Sequence, residues 1–239
     1  MDTAVFLTDE ARTALALSLK VSLWATAISL PLAVLAALIT GRGRFPGRAL
    51  VDGLLHLPLI LPPVVTGFLL LIAFGRRAPV GAFLAEHFGL VFSFRWTGAA
   101  LAAGIMGFPL MVRAIRLSLE AVDGRLEEAA ATLGARPLWV FATVTLPLMV
   151  PGIITGAILS FARAMGEFGA TITFVGNIPG ETQTLPAAIY TFTQVPGGDG
   201  PAMRLVAVSV AVSMTALIGS ELIARRARRR LGLSAGRAD

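Results

Sequence analysis

Five stretches of this chain are apolar for about the 20 residues that a helix needs to cross a bilayer. They run over about 14–40, 50–74, 96–115, 139–162 and 203–224. Backbone in hydrocarbon has no water to bond, so lipid-exposed stretches of this kind must be helical. The expected fold is all-α: a polytopic membrane protein of about five membrane-spanning helices, one domain over 1–239. Only 14% of residues are charged and 56% are hydrophobic, whereas soluble domains are about a quarter charged.

Prolines mark where these helices should deform. Pro31 lies inside the first span, and Pro109 lies near the end of the third. The second carries Pro58, Pro62 and Pro63 and is expected to be kinked or broken, because each proline removes a backbone donor. The third is rich in Gly and Ala, small residues that let helices approach closely within lipid. Residues 76–95 are too charged and broken to span. Their segment GAFLAEHFGLVF suits a short interfacial helix. Residues 163–201 contain FGATITFVG, expected as a short or re-entrant helix. An extramembrane amphipathic helix is expected around 185–193.

Arginines orient the chain. One side collects Arg42, Arg44, Arg48, Arg113, Arg116, Arg125, Arg136 and the six from Arg225 onward. The other has Arg12, Arg76, Arg77, Arg95 and Arg204. The positive-inside rule makes the richer side cytoplasmic. Five spans then place the N-terminus outside, and the loop 116–138 and basic tail 225–239 inside. A sixth crossing by FGATITFVG would flip one terminus and fits these charges less well. The start, MDTAVFLTDEAR, has no basic region of the kind that opens a signal peptide.

Several functions lose their means. With no cysteine there is no thiolate chemistry, and His56 and His87 are too far apart in sequence to suggest a metal site. A phosphate-binding loop needs Gly-Lys before Ser or Thr. The sole lysine, Lys20, follows Leu19, so any ATP is expected on another subunit, and no cofactor on this chain. The basic residues flank apolar runs, which points to a lipid bilayer rather than nucleic acid.

The loop 123–147, DGRLEEAAATLGARPLWVFATVTLP, organises the rest. Asp123 can cap a helix, Glu127 and Glu128 lie near its positive end, and Gly134 offers a left-handed stop before Pro137. The helix so bounded has roughly 10 residues, about 15 Å, too short to span. Leu126, Ala129, Ala130 and Leu133 fall on one face at helical spacing. That face needs a cover: its own spans, headgroups, or a partner's groove.

Glu128-Ala129-Ala130, three residues, Gly134, nine residues, then Val144-Thr145-Leu146-Pro147 resembles the EAA signature of ABC importer permeases. The resemblance implies a type I importer transmembrane domain in which this loop is the coupling helix. Leu126, Glu128, Ala129, Ala130, Leu133 and Gly134 would then meet a separate ABC ATPase subunit carrying ATP and Mg²⁺.

Farther on, Arg163-Ala164-Met165-Gly166-Glu167-Phe168-Gly169 and NIPGETQTLP, with LHLPLILPPVVTGFLLL and FPLMVRAIRLSLE earlier, resemble the molybdate-type permeases of the oxyanion ABC importers. The resemblance implies molybdate as cargo, a periplasmic molybdate-binding protein, a permease homodimer and the bacterial inner membrane. Tungstate and sulfate remain alternatives within it.

Arg163, Gly166, Glu167, Phe168 and Gly169 are candidates for the substrate path or its gate, because broken backbone at membrane depth can turn N–H groups toward an anion. Arg163 and Glu167, four apart, can equally form a structural ion pair. Asn177, Thr182 and Gln183 could bond an oxyanion or a docking protein, or be ordinary polar residues. An ion-coupled secondary transporter would need acids or histidines in mid-span, and few are present.

Overall fold

The computed structural model describes residues 8–43 and 45–230. Arg44 and residues 231–239 of the expected tail lie outside the described residues. The chain forms α1 (Asp9–Arg42), α2 (Arg48–Ile60), α3 (Pro63–Phe74), α4 (Pro79–Phe88), α5 (Trp96–Glu120) and α6 (Gly124–Thr132). Then come α7 (Pro137–Val140), a π-helical turn (Phe141–Thr145), α8 (Leu146–Met165), α9 (Gly169–Val175), α10 (Leu185–Thr193) and α11 (Asp199–Arg230). No strand occurs among the described residues.

Helix α5 is the axis of the bundle. Its Ala99, Ala102, Ala103 and Met106 pack with Leu17, Val21 and Ala25 of α1, and with Phe174 and Val175 of α9. Nearer its C-terminus, Met111, Val112, Ile115 and Leu119 meet Ala33 and Ala37 of α1 and Met149 of α8. Residue numbers rise together on α1 and α5, so these helices are parallel. Helix α8 runs antiparallel to α5, as small residues show. A Cβ on Gly156 would lie 3.0 Å from the Met111 carbonyl oxygen, and one on Gly107 would lie 2.5 Å from Ser160 Oγ. Lipid offers no hydrophobic force between helices, so this backbone proximity supplies the packing instead.

Parallel α1 and α5 require the chain between them to return, and α2 with α3 does so. Asp52 Oδ1 of α2 lies 2.5 Å from Arg116 Nη1 near one end of α5. At the other end the Phe74 carbonyl accepts a 3.3 Å hydrogen bond from Ser93. The expected second span is not one straight helix, however, because α2 and α3 meet at 113°. The run Leu61-Pro62-Pro63 leaves no pair of donors to carry a helix across the join.

Three helices among the described residues are long and apolar enough to cross a membrane, or four if the bent pair is one span. The expected last span, 203–224, lies on α11. The third helix outruns its expected boundary at 115: it continues to Glu120, so the loop begins at Ala121. Hydropathy ends where water begins, but the helix goes on, helped by an Arg116–Glu120 pair one turn apart. Helix α10 is not simply laid on the surface. Leu185 and Ala188 are buried with Ala11, Ala14 and Leu205.

Candidate functional site

Helix α6 forms because its ends are written into the chain. The Asp123 carboxylate accepts from the Arg125 N–H at 3.0 Å. Gly134 takes a φ of +85°, ending the helix in the left-handed region. The face carrying Leu126, Ala129, Ala130 and Leu133 finds little cover within the chain. Leu126 is 49% and Leu133 89% exposed, and Leu138 and Trp139 just beyond are exposed as well. A bare face of small and apolar residues on a nine-residue helix has too little area to be stable in water alone.

Besides packing on the segment that follows it, α6 is tied to the bundle by Glu127, whose place in the sequence points only to the helix dipole. Its Oε1 lies 2.8 Å from Arg42 Nη2 at the end of α1. The same oxygen accepts a hydrogen bond from the Thr145 hydroxyl. Burial raises the Glu127 pKa, but the Arg42 and Thr145 hydrogen bonds and the Arg42 charge outweigh it. The carboxyl is held below its usual value. Glu128, one residue on, is exposed and makes no side-chain bond among the described residues.

Thr145 reaches Glu127 from the π-turn. Pro147 has no N–H for the carbonyl four residues back. The wider turn ahead of it closes with Leu146 N–H bonded to the Phe141 carbonyl, five residues back. The spacing from the Glu-Ala-Ala segment to Thr-Leu-Pro thus spans two parts that meet in space. Nothing in a linear reading signals Arg42 as the third member. Between α5, α6 and α8 lies an open pocket of about 810 Å³, lined by Arg113, Ala114, Leu117, Asp123, Leu126 and Thr155 among others.

The second candidate region is the break between α8 and α9. Arg163 Nη1 and Glu167 Oε2 are 2.5 Å apart, with the Glu167 side chain 1% exposed. The other Glu167 oxygen accepts from the Ala170 N–H at 2.8 Å. One N–H in the first turn of α9 is thus taken up by a carboxylate of the chain itself. Gly169 serves packing, since a Cβ there would lie 2.7 Å from Pro63 Cβ of α3.

Helix α10 gathers three of the remaining candidates, Phe168, Asn177 and Gln183. Phe168 packs on Tyr190, ring centroids 5.2 Å apart. Asn177 donates to Thr191 at 2.8 Å and Gln183 to the same hydroxyl at 3.4 Å. Thr182 Oγ1 accepts from the Ile178 N–H at 2.9 Å. These side chains hold their own loop together. Tyr190 and Thr191 organise it, and only their helical spacing of three and four residues from Ala187 could have drawn attention to them.

Known proteins bear on both regions. The family model for the binding-protein-dependent transport system inner membrane component matches residues 29–229. The molybdenum transport system permease protein ModB of Escherichia coli (strain K12) is 57% identical over 228 residues, 95% of this chain and 100% of that one. The sulfate transport system permease protein CysT of Salmonella typhimurium is 38% identical, over 83% of this chain and 71% of that one. A solved bacterial alginate ABC transporter, in complex with an alginate pentasaccharide-bound periplasmic protein, superposes with a TM-score of 0.69 at 19% identity. The match covers 95% of this chain and 81% of that one.

Proposed function

The chain belongs to the family of binding-protein-dependent transport system inner membrane components, and from that premise we propose that it is the membrane permease subunit of an ATP-driven importer of molybdate. The observation that carries the cargo is the 57% identity to a molybdenum permease along 95% of the chain. The sulfate relative is more distant, at 38%. It is a transport subunit rather than an enzyme, and a multi-pass membrane protein.

The partners follow from the same reading. A separate ABC ATPase, with ATP and Mg²⁺, docks on the bare face of α6 through Leu126, Glu128, Ala129, Ala130 and Leu133, with Gly134 setting where that face stops. Two copies of the chain pair around a central path in the bacterial inner membrane. A periplasmic binding protein delivers the oxyanion to the outer face. Closure of the ATPase pair draws the two α6 helices together and turns the path outward, and hydrolysis resets it. Such coupling requires contacts that differ between the two global states. The break at Gly166–Phe168, braced by Arg163 and Glu167, is the proposed gate, with Asn177, Thr182 and Gln183 shaping its rim.

The test is ATPase activity of the reconstituted permease–ATPase complex with its binding protein loaded in turn with molybdate, tungstate or sulfate. Stimulation by molybdate and tungstate but not sulfate is the expected result. Stimulation by sulfate would keep the architecture and overturn the cargo. Failure to associate with any ATPase would favour an ion-coupled transporter.

A further inference from the structure

We infer that Glu127 is a positioning residue through which movement of α6 reaches the membrane helices, by way of Arg42 to α1 and Thr145 to α8. The inference rests on α6 being the surface that the ATPase moves. Among the described residues, Glu127 makes the only side-chain hydrogen bonds or ion pairs that leave α6. The other polar bonds of that helix, at Asp123 and Thr132, are local. The helix otherwise packs chiefly on the α7 segment and π-turn that follow it in the chain.

The two partners of Glu127 are well placed to pass on a displacement. Arg42 is the last residue of α1, a helix of 34 residues. Thr145, fully buried, ends the π-turn that leads into α8. Helices α1 and α8 pack on α5, and α8 ends at the Arg163–Glu167 pair. A push on α6 is therefore shared between both neighbours of the central helix, and one of them reaches the break.

Magnitude separates transmission from mere stability. Arg42 is 42% exposed and Glu127 20%, and ion pairs open to water contribute about 0–1 kcal/mol. Losing this one should leave the fold nearly as stable as before. If it transmits a conformational change, its loss falls instead on the coupling between sites, where effects of about fivefold and upward are usual.

The experiment measures molybdate transported per ATP hydrolysed by the full permease–ATPase complex with molybdate-loaded binding protein in proteoliposomes. The variants are Glu127→Gln, Thr145→Val, Arg42→Glu and the swap Arg42→Glu/Glu127→Arg, each also followed by its thermal midpoint in detergent. Expected are a fall of about fivefold or more in the ratio for Glu127→Gln and Arg42→Glu, a smaller fall for Thr145→Val, small changes in midpoint, and recovery in the swap. A wild-type ratio in Glu127→Gln overturns the inference. So does a fall that the swap fails to reverse, or one that tracks a matching loss of midpoint. If the unmodified chain assembles with no ATPase, the functional reading itself has failed, which the wild-type control reveals separately.

Discussion

Arg163 Nη1 and Glu167 Oε2 lie 2.5 Å apart at the end of α8, where the Glu167 side chain is 1% exposed and that of Arg163 is 29% exposed. The carboxylate also caps the start of α9 through the Ala170 N–H. Glu167→Gln keeps an acceptor for that N–H but strands the guanidinium. Removing one partner of a buried pair costs about 3–5 kcal/mol, and the partial exposure of Arg163 argues for about 2–3. The double variant Arg163→Met/Glu167→Gln leaves no unpaired charge and should be closer to wild type. Unfolding midpoints in detergent for both variants check the order, and the reverse order would sink the account of this break.

Gly67 faces α9 with no room to spare. A Cβ there would lie 2.5 Å from the Ala170 carbonyl oxygen and 2.9 Å from its Cα. Backbone cannot rotate aside, so Gly67→Ala should force α3 from α9 at a cost of about 1–3 kcal/mol. Gly53, inside α2, would meet nothing within 4 Å, and Gly53→Ala should be neutral or stabilising by up to about 1 kcal/mol. Midpoints that fail to separate the two substitutions would contradict the packing described.

Gly134 poses the opposite case, with open space but a φ of +85°. Gly134→Val should cost about 1–2 kcal/mol locally, because a β-branched residue resists the left-handed region. Gly134→Asn should be tolerated better. The spans do not depend on this position, so membrane insertion and midpoint should hold while uptake falls. Normal uptake by the valine variant would remove α6 from the coupling scheme.

The Glu127 tie carries a pH signature. Its folded-state pKa lies below the usual value, so its stabilising contribution is present above the unfolded carboxylate pKa and is lost as pH falls through the lower folded value. With an ordinary glutamate near 4.3, the tie should hold from neutral pH down to about 4.3 and loosen only below. The chain has no cysteine, so Ala131→Cys offers a single labelling site on α6. Anisotropy of the label should stay level from pH 8 to about 5 and drop in stronger acid, with that drop absent from a Glu127→Gln background. Loosening near neutral pH would refute the assigned sign.

Some of this protein was legible along the chain because the forces involved are local. Asp123 and Gly134 act within one turn of α6, and they mark its ends wherever the helix is placed. The prolines from Pro58 to Pro63 foretold a break for the same reason: each removes its own donor. Arg163 and Glu167, one turn apart, could be paired on paper.

The tertiary structure decided the rest, because it depends on which distant residues meet. Glu127 and Glu128 are neighbours with the same charge. Only packing of α1 against α5 and α8 brings Arg42 to the first and leaves the second bare. The prolines mark a break between α2 and α3, but its angle of 113° is seen only in the folded chain. Asn177 and Gln183 read equally well as ligands or as ordinary polar residues, and only the fold shows both of these loop side chains donating to Thr191 of α10. Hydropathy and capping act between residues a turn apart, so a chain can state them alone. An ion pair or a shared hydroxyl joins residues that only the folded bundle brings together.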